Sequence, residues 1–333
     1  MTVGLHREAF DGAEQVEEYA SALRTGFLPL KFAYVGPAAR THDELVRSRE
    51  YGLADIEARL LRARLPALSN ALSLNRVLAL VDVGSGNGMK AGLVLQVLRR
   101  RYQIPAYVAL DYSAELLNIA LANIAAALPD QHVICHRVDF EARDFRALTQ
   151  PIRDEAHCPI LFLLLGHTLG NPLDRQAVLS NVAVGMADDD HLLIGVELFR
   201  PDRVADVLAH YQNEPFYRAV FNPLSFSGLT RTDGTLEIAF NKATRDVEVH
   251  FRLLKDVTVD LGNSSRLHLT RGEGLLIFLS HRFTSSELAD LCGEAGLQVE
   301  QMVSDRENSY KLALVSPVAH AERHSAHAGR SKR

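Results

Sequence analysis

Between residues 78 and 198 the chain alternates short, nearly continuous apolar runs with amphipathic stretches of helical period. "VLALVDVG", "AYVALD", "HVICHRVDF", "CPILFLLLG" and "DHLLIGVEL" predict strands buried on both faces. "KAGLVLQVLRRRY", "AELLNIALANIAAALP" and "RQAVLSNVAVGM" predict the covering helices. This rhythm belongs to a parallel sheet in a doubly wound α/β domain. The first 75 residues read as helical instead: "GAEQVEEYASALRTG", then "THDELVRSREYGLADIEARLLRARL" after the break "YVGPAAR". Beyond residue 200 a helical stretch, "RVADVLAHYQNEPFYRAVFNPL", precedes "TLEIAFNK", "DVEVHFRLLKDVTVDL" and "SRLHLTRGEGLLIFLS". Their period of two is that of half-buried antiparallel strands, an α+β insertion. The Ser/Thr-started helix "TSSELADLCGEAGL", with "VEQMVSD" and "SYKLALVS", completes the first sheet.

The expected organisation is a sheet domain of residues 61–198 plus 284–316 and a second domain of 1–60 plus 199–283. The small, polar, basic tail 317–333 reads as disordered. At 333 residues, 47% hydrophobic and net charge −5, the chain has material for a large core and no field that would recruit nucleic acid. The longest apolar runs are too short for a bilayer, and the N-terminus shows no secretory signal, so a cytoplasmic protein is expected. Cys135, Cys158 and Cys292 read as buried free thiols. His132 and His136, at strand spacing, and His320, His324 and His327 in the tail make poor ligand sets, so no metal is expected.

Asp82, Gly84, Gly86 and Gly88 form D-x-G-x-G-x-G where the first parallel strand meets its helix. Glycines let the backbone approach a ligand, but their spacing is not that of a dinucleotide loop. The next strand ends in Asp111, placed to accept from both hydroxyls of a ribose or, alternatively, to cap the following helix. The third ends in Asp139-Phe140, an acceptor beside an aromatic face that suits adenine, or else a plain turn. Together these strand ends point to S-adenosylmethionine (SAM) in a class I methyltransferase-like, Rossmann-like sheet.

Over residues 25 to 315 the sequence resembles the ergothioneine-pathway histidine Nα-methyltransferases and their relatives, including N-methyltransferases of prenylated tryptophan. The resemblance rests on "GSGNGMK", "LFLLLGHTLGNP", "KFAY", "AHYQ" followed by "FN", and more loosely on "REYGL". It implies that Gly84, Ser85, Gly86, Asp111, Asp139, Phe140, Gly166 and Tyr51 surround the cofactor, with Lys90 on its carboxylate. Tyr34 and Asn171 would hold the substrate amine as the catalytic pair, with Tyr211 on the substrate carboxylate. The N-terminal helices and the insertion would form a substrate-capping domain. Without that resemblance, Asn171 reads as a turn residue and the tyrosines as packing residues.

Histidine-specific relatives recognise imidazole with a glutamate and a serine on a late strand. Here those positions fall on Phe278 and Ser280, and a methionine of the side-chain pocket becomes Val249. A phenyl ring in place of the carboxylate removes the anionic partner for a ring N–H, which disfavours imidazole. The implied activity is SAM-dependent N-methylation of a free amino acid or derivative, not histidine, with a more apolar or larger side chain, in secondary metabolism. The alternatives are methylation of a side-chain nitrogen such as a guanidine, a non-catalytic SAM-binding protein, and an oxidoreductase.

Overall fold

The structure, a computed structural model, describes residues 1–47, 53–72, 76–262 and 264–318. Tyr51 and the tail beyond residue 318 lie outside the described residues. The chain opens with a short strand, β1 (Thr2–Gly4), and the helices α1 (Ala13–Thr25), α2 (Ala38–Arg47) and α3 (Leu53–Leu68). The alternating region follows as β2 (Ala79–Val83), α4 (Met89–Leu98), β3 (Tyr107–Asp111), α5 (Ala114–Ala127), β4 (Val133–Arg137), α6 (Arg146–Ala156), β5 (Ile160–Leu164), α7 (Arg175–Val184) and β6 (His191–Glu197). Next come α8 (Val204–His210), α9 (Glu214–Ser225), β7 (Gly234–Asn241), β8 (Asp246–Leu253), β9 (Val257–Gly262), β10 (Ser265–Leu269) and β11 (Gly274–His281). The last elements are α10 (Ser285–Glu294), β12 (Leu297–Ser304) and β13 (Tyr310–Pro317).

The large sheet has seven strands in the order β12-β13-β6-β5-β2-β3-β4, with β13 antiparallel to both neighbours and the strands from β6 to β4 parallel. Its two faces pack different cores. Ala79, Val81 and Val83 of β2 join one, and Leu80 joins the other, the two-residue period of a strand covered twice. Strand order reverses at β2, whose neighbours β3 and β5 lead to opposite edges. The crevice at the carboxyl ends of such strands is where open α/β sheets bind ligands.

The remaining elements share a third core, built from α1, α9, β8, β9 and β11 around Tyr19, Phe32, Phe226 and Phe251. Two small sheets frame it, β11-β8-β7 and β1-β9-β10. Two expectations from the sequence are corrected here. "DVEVHFRLLKDVTVDL" is two strands in different sheets, parted at Leu254–Asp256, and Thr2–Gly4 is a strand paired in parallel with β9 rather than part of a helical region. The long helical stretch after residue 200 breaks at Tyr211–Gln212, where Asn213 caps α9 by accepting from the Phe216 N–H at 2.9 Å. Helix α6, which the sequence pattern does not predict, carries Pro151 in its interior, a residue that argues against a helix on local grounds.

Candidate active site

The cofactor half of the cleft is made by strand ends. Gly84 follows β2 with φ +68°, and a Cβ there would lie 2.8 Å from Thr168 Cγ2 and 3.4 Å from Phe140, so both the backbone conformation and the close approach demand glycine. The Gly86 N–H donates to Asp111 Oδ2 at 2.9 Å and the Ser113 N–H to Oδ1 at 3.0 Å. Asp111 therefore braces the glycine loop. Ser113, not Asp111, caps α5 through the Leu116 N–H. Burial raises the Asp111 carboxyl to about 6 against the pull of those backbone N–H groups. A carboxylate has about four lone-pair directions, so Asp111 still has acceptor capacity toward the cleft. Burial lifts Asp82 to about 7, with Tyr107 donating to it at 2.9 Å.

Lys90 lines the same cleft beside Gly166, where a Cβ would meet its Nζ at 2.7 Å, and at φ +76°. Its ammonium stands 3.7 Å from Glu57, a buried acid that accepts from the Gly166 N–H at 2.9 Å and Tyr310 at 2.7 Å. Glu57 was not among the residues expected here, yet it left a signal in the sequence. It shares a helical stripe with Leu61, Leu65 and Leu68, all buried, and an acid on a buried stripe needs partners.

The adenine corner differs from expectation. Asp139 accepts from Lys31 at 2.6 Å and from the Glu141 N–H at 3.0 Å, and it is not among the residues lining the cleft. Phe140 and Glu141 line it instead. Burial raises Glu141 to about 7, with Lys31 opposing. Lys31 also pairs with Glu18, whose other oxygen accepts from Tyr112 at 2.6 Å. These bonds tie α1 and the following 3-10 turn to the ends of β3 and β4.

At the other half, Tyr34 and Asn171 line the cleft as expected, with Tyr34 packed on His42 at 4.4 Å between ring centroids. Burial lowers His42 to about 4, so its imidazole is neutral, and burial raises the Tyr34 phenol above its ordinary value. Tyr211, Phe278 and Ser280 also line this half. Phe278 meets Tyr211 at 5.4 Å and, edge to face, Phe216 at 5.1 Å, while Ala219 and Val220 of α9 add aliphatic surface. Val249 does not reach the cleft. It lies opposite Phe278 on the neighbouring strand, fully buried in the third core.

One further carboxylate in the cleft was not among the residues expected from the sequence. Glu197 lines it from the end of β6, 3.0 Å from the buried guanidinium of Arg282. Burial raises Glu197 and Arg282 opposes the shift. Its own backbone N–H donates to His167 Nδ1 at 2.9 Å, which leaves the proton of a neutral imidazole on Nε2. Burial, then Arg282, holds His167 well below its ordinary value.

About 1380 Å³ within the cleft and its open mouth is free of protein atoms. Among the described residues the buried Ser85 Oγ has no hydrogen-bond partner, and beside it stand the glycine cradle and Asp111, so the residues suit the polar groups of SAM. Among the described residues no helix is long and apolar enough to cross a membrane.

Residues 15–317 match the family described as histidine-specific, SAM-dependent methyltransferases. The chain is 26% identical to a histidine N-alpha-methyltransferase of Mycobacterium tuberculosis, over 94% of this chain and 95% of the relative. It is 25% identical to an N-methyltransferase of Aspergillus flavus, over 80% of this chain and 74% of that protein. A solved structure of a Burkholderia thailandensis 1,6-didemethyltoxoflavin-N1-methyltransferase is 14% identical, covers 91% of this chain and 90% of its own, and has a TM-score of 0.43. With its class I sheet and its SAM cleft, the chain belongs to the histidine-specific, SAM-dependent methyltransferase family and is a SAM-dependent N-methyltransferase.

Proposed function

We propose that the enzyme methylates the α-amino nitrogen of a free amino acid or close derivative whose side chain is larger or more apolar than imidazole. The observation that carries this reading is the aromatic end of the cleft, where Phe278 packs between Tyr211 and Phe216. Glu197 does not restore an imidazole site, because Arg282 already engages it at 3.0 Å. A guanidine side chain would meet the same obstacle, with a like charge behind the carboxylate it sought.

SAM supplies a methyl group on a sulfonium, electrophilic toward a nitrogen lone pair. The protein's part is to deliver a neutral amine to it in line. Tyr34 and Asn171 hold the amine, and Tyr211 holds the carboxylate. An α-amine titrates at about 8, so a useful neutral fraction exists near neutrality without a strong base. His42, at about 4, and Tyr34, kept as a phenol, are not strong bases either. Positioning then carries most of the rate, and effective molarities correspond to roughly 7–11 kcal/mol at best.

The test is incubation with labelled SAM and a panel of amino acids that includes prenylated, hydroxylated and guanidino analogues. Methylation of indole-sized or prenylated members above histidine is expected, with the label on the α-nitrogen by mass fragmentation. A label retained on the side-chain fragment, or histidine as the best acceptor, would overturn the reading.

A further inference from the structure

Charge is spread unevenly along this chain. Between residues 58 and 110 the sole acid is Asp82, which is buried, while the same span holds seven arginines and Lys90. With a net charge of −5 overall, the remainder is more acidic still. The fold gathers the seven arginines at one end of the large sheet. Arg59, Arg62 and Arg64 are exposed on α3, and Arg99, Arg100 and Arg101 are exposed in the turn after α4. Arg101 Nη1 donates to Asn70 Oδ1 at 2.5 Å and to the Pro66 carbonyl at 3.2 Å, which ties that turn to the end of α3. Arg76 is exposed beside them, its carbonyl accepting from the Gln103 N–H at 2.8 Å. Strands β2 and β3 begin here, so the arginines lie at the opposite end of the sheet from the strand ends that line the cleft. Both acceptors of Arg101 are neutral, and among the described residues none of the seven is ion-paired. Exposed arginines on other faces stand on carboxylates, as Arg40 does on Glu115, Arg218 on Glu44 and Arg252 on Glu237, at 2.7–2.9 Å.

We propose that this arginine face is a docking surface for a carboxylate-rich segment of a partner protein, bound away from the cleft. A guanidinium takes a carboxylate through a planar fork, the pairing that arginines of the other faces already make within the chain. A nucleic acid fits less well. Its bases would stack on exposed aromatic rings, but Tyr102, between the arginines, is buried with its hydroxyl on the Ser69 carbonyl. A strand longer than the patch would also run on to the acidic remainder of the surface. A lipid surface would want an apolar anchor, and among the described residues no large hydrophobic side chain is exposed on α3 or in the turn after α4. A compact acidic segment meets the charge without those demands.

The experiment titrates the full chain with fluorescent poly-L-glutamate and, in parallel, with an RNA duplex and with phosphatidylserine vesicles. Poly-L-glutamate should bind the tightest of the three and weaken at least tenfold between about 50 and 200 mM salt, as exposed charges are screened. Arg62→Glu combined with Arg99→Glu and Arg100→Glu should weaken that binding by roughly 10- to 100-fold, with SAM affinity at the wild-type level. Arg218→Glu, a charge reversal outside the patch, should change it by less than about twofold. Glutamine at the same three positions removes the charges without reversing them and should lose about tenfold, which keeps the test decisive if the triple glutamate variant does not fold. A wild type that does not bind poly-L-glutamate at low salt, patch variants that bind it undiminished, or an equal loss in Arg218→Glu overturns the proposal. Tighter binding of the duplex or the vesicles overturns it as well, by giving the face to a phosphate polymer or a lipid surface.

Discussion

The two halves of the cleft are built by different means. In the half assigned to the cofactor, the cleft is lined largely from the ends of parallel strands: Gly84 after β2, Asp111 closing β3, Phe140 and Glu141 after β4, Gly166 after β5. Backbone geometry and one brace, Asp111 to the Gly86 N–H, do most of the shaping. The substrate side draws single side chains from the turn at residues 30–34, the break between α8 and α9, the end of β6 and strand β11. Its surface is set by side-chain identity and by ion pairs behind the wall. A cofactor shared by many enzymes suits a site made of main chain, while a particular substrate suits a site that changes with one or two side chains.

That contrast is open to direct attack, and the largest effects belong on the cofactor side. On the reading of Asp111 as the ribose acceptor, Asp111→Ala removes that acceptor and the loop brace together, and SAM affinity by calorimetry should fall roughly 100-fold, about 3 kcal/mol for hydrogen bonds to a charged group. Gly84→Ala should fall comparably, because its Cβ would collide with Thr168 at φ +68°. Retained affinity in both would mean that the cofactor does not sit on this loop.

A smaller but more specific change is expected on the substrate side. Phe278→Glu should move the ratio of histidine to indole substrates toward histidine by roughly 10- to 100-fold in kcat/KM. SAM affinity should be untouched, and Phe278→Leu serves as the packing control. An unchanged ranking would show that Phe278 does not face the side chain.

Acidity offers a third probe. Read as the acceptor of a ribose diol, Asp111 needs both carboxylate oxygens free of a proton, and burial raises its carboxyl to about 6. SAM affinity should therefore be flat above that value and fall up to tenfold per pH unit below it, and Asp111→Asn should abolish the dependence. The same upward shift works against stability. Since burial leaves Asp111 and Asp82 holding protons that the unfolded chain has lost, unfolding free energy declines as pH rises from about 4 through 6 to 7. Denaturant titrations across that range check the sign.

The smallest effect concerns the adenine corner. With Asp139 held by Lys31 and Glu141 in the cleft, Glu141→Ala should weaken SAM binding more than Asp139→Asn, by about 1 kcal/mol or fivefold. The reverse order would return the adenine contact to Asp139.

Much of the sheet was legible from pattern alone. Strands buried on both faces must be continuously apolar, and the helices between them must show one apolar stripe, so β2 to β6 stand out in the text. The glycine loop and Asp111 were legible for a related reason, because strand, turn and helix follow each other within a few residues. Glu197 and Arg282 were not, and Glu57 left only the hint of an acid on a buried helical stripe. Nothing in the immediate neighbourhood of Glu197 or Arg282 marks them as buried, and what makes burial tolerable is a partner far away in the chain: Tyr310 for Glu57, and Arg282 just past β11 for Glu197 on β6. Asp139 shows the converse. Its place at a strand end was readable, but the lysine that occupies it comes from the N-terminal segment.

By itself, then, the sequence determined the parallel sheet, its crevice and the class of cofactor, because these follow from short-range periodicity and from turns that only glycine can make. Tertiary structure alone decided which side chains meet at the substrate end, which acid faces the cleft and which is already paired. Those outcomes depend on contacts between segments far apart in the chain, whose energies no local pattern encodes.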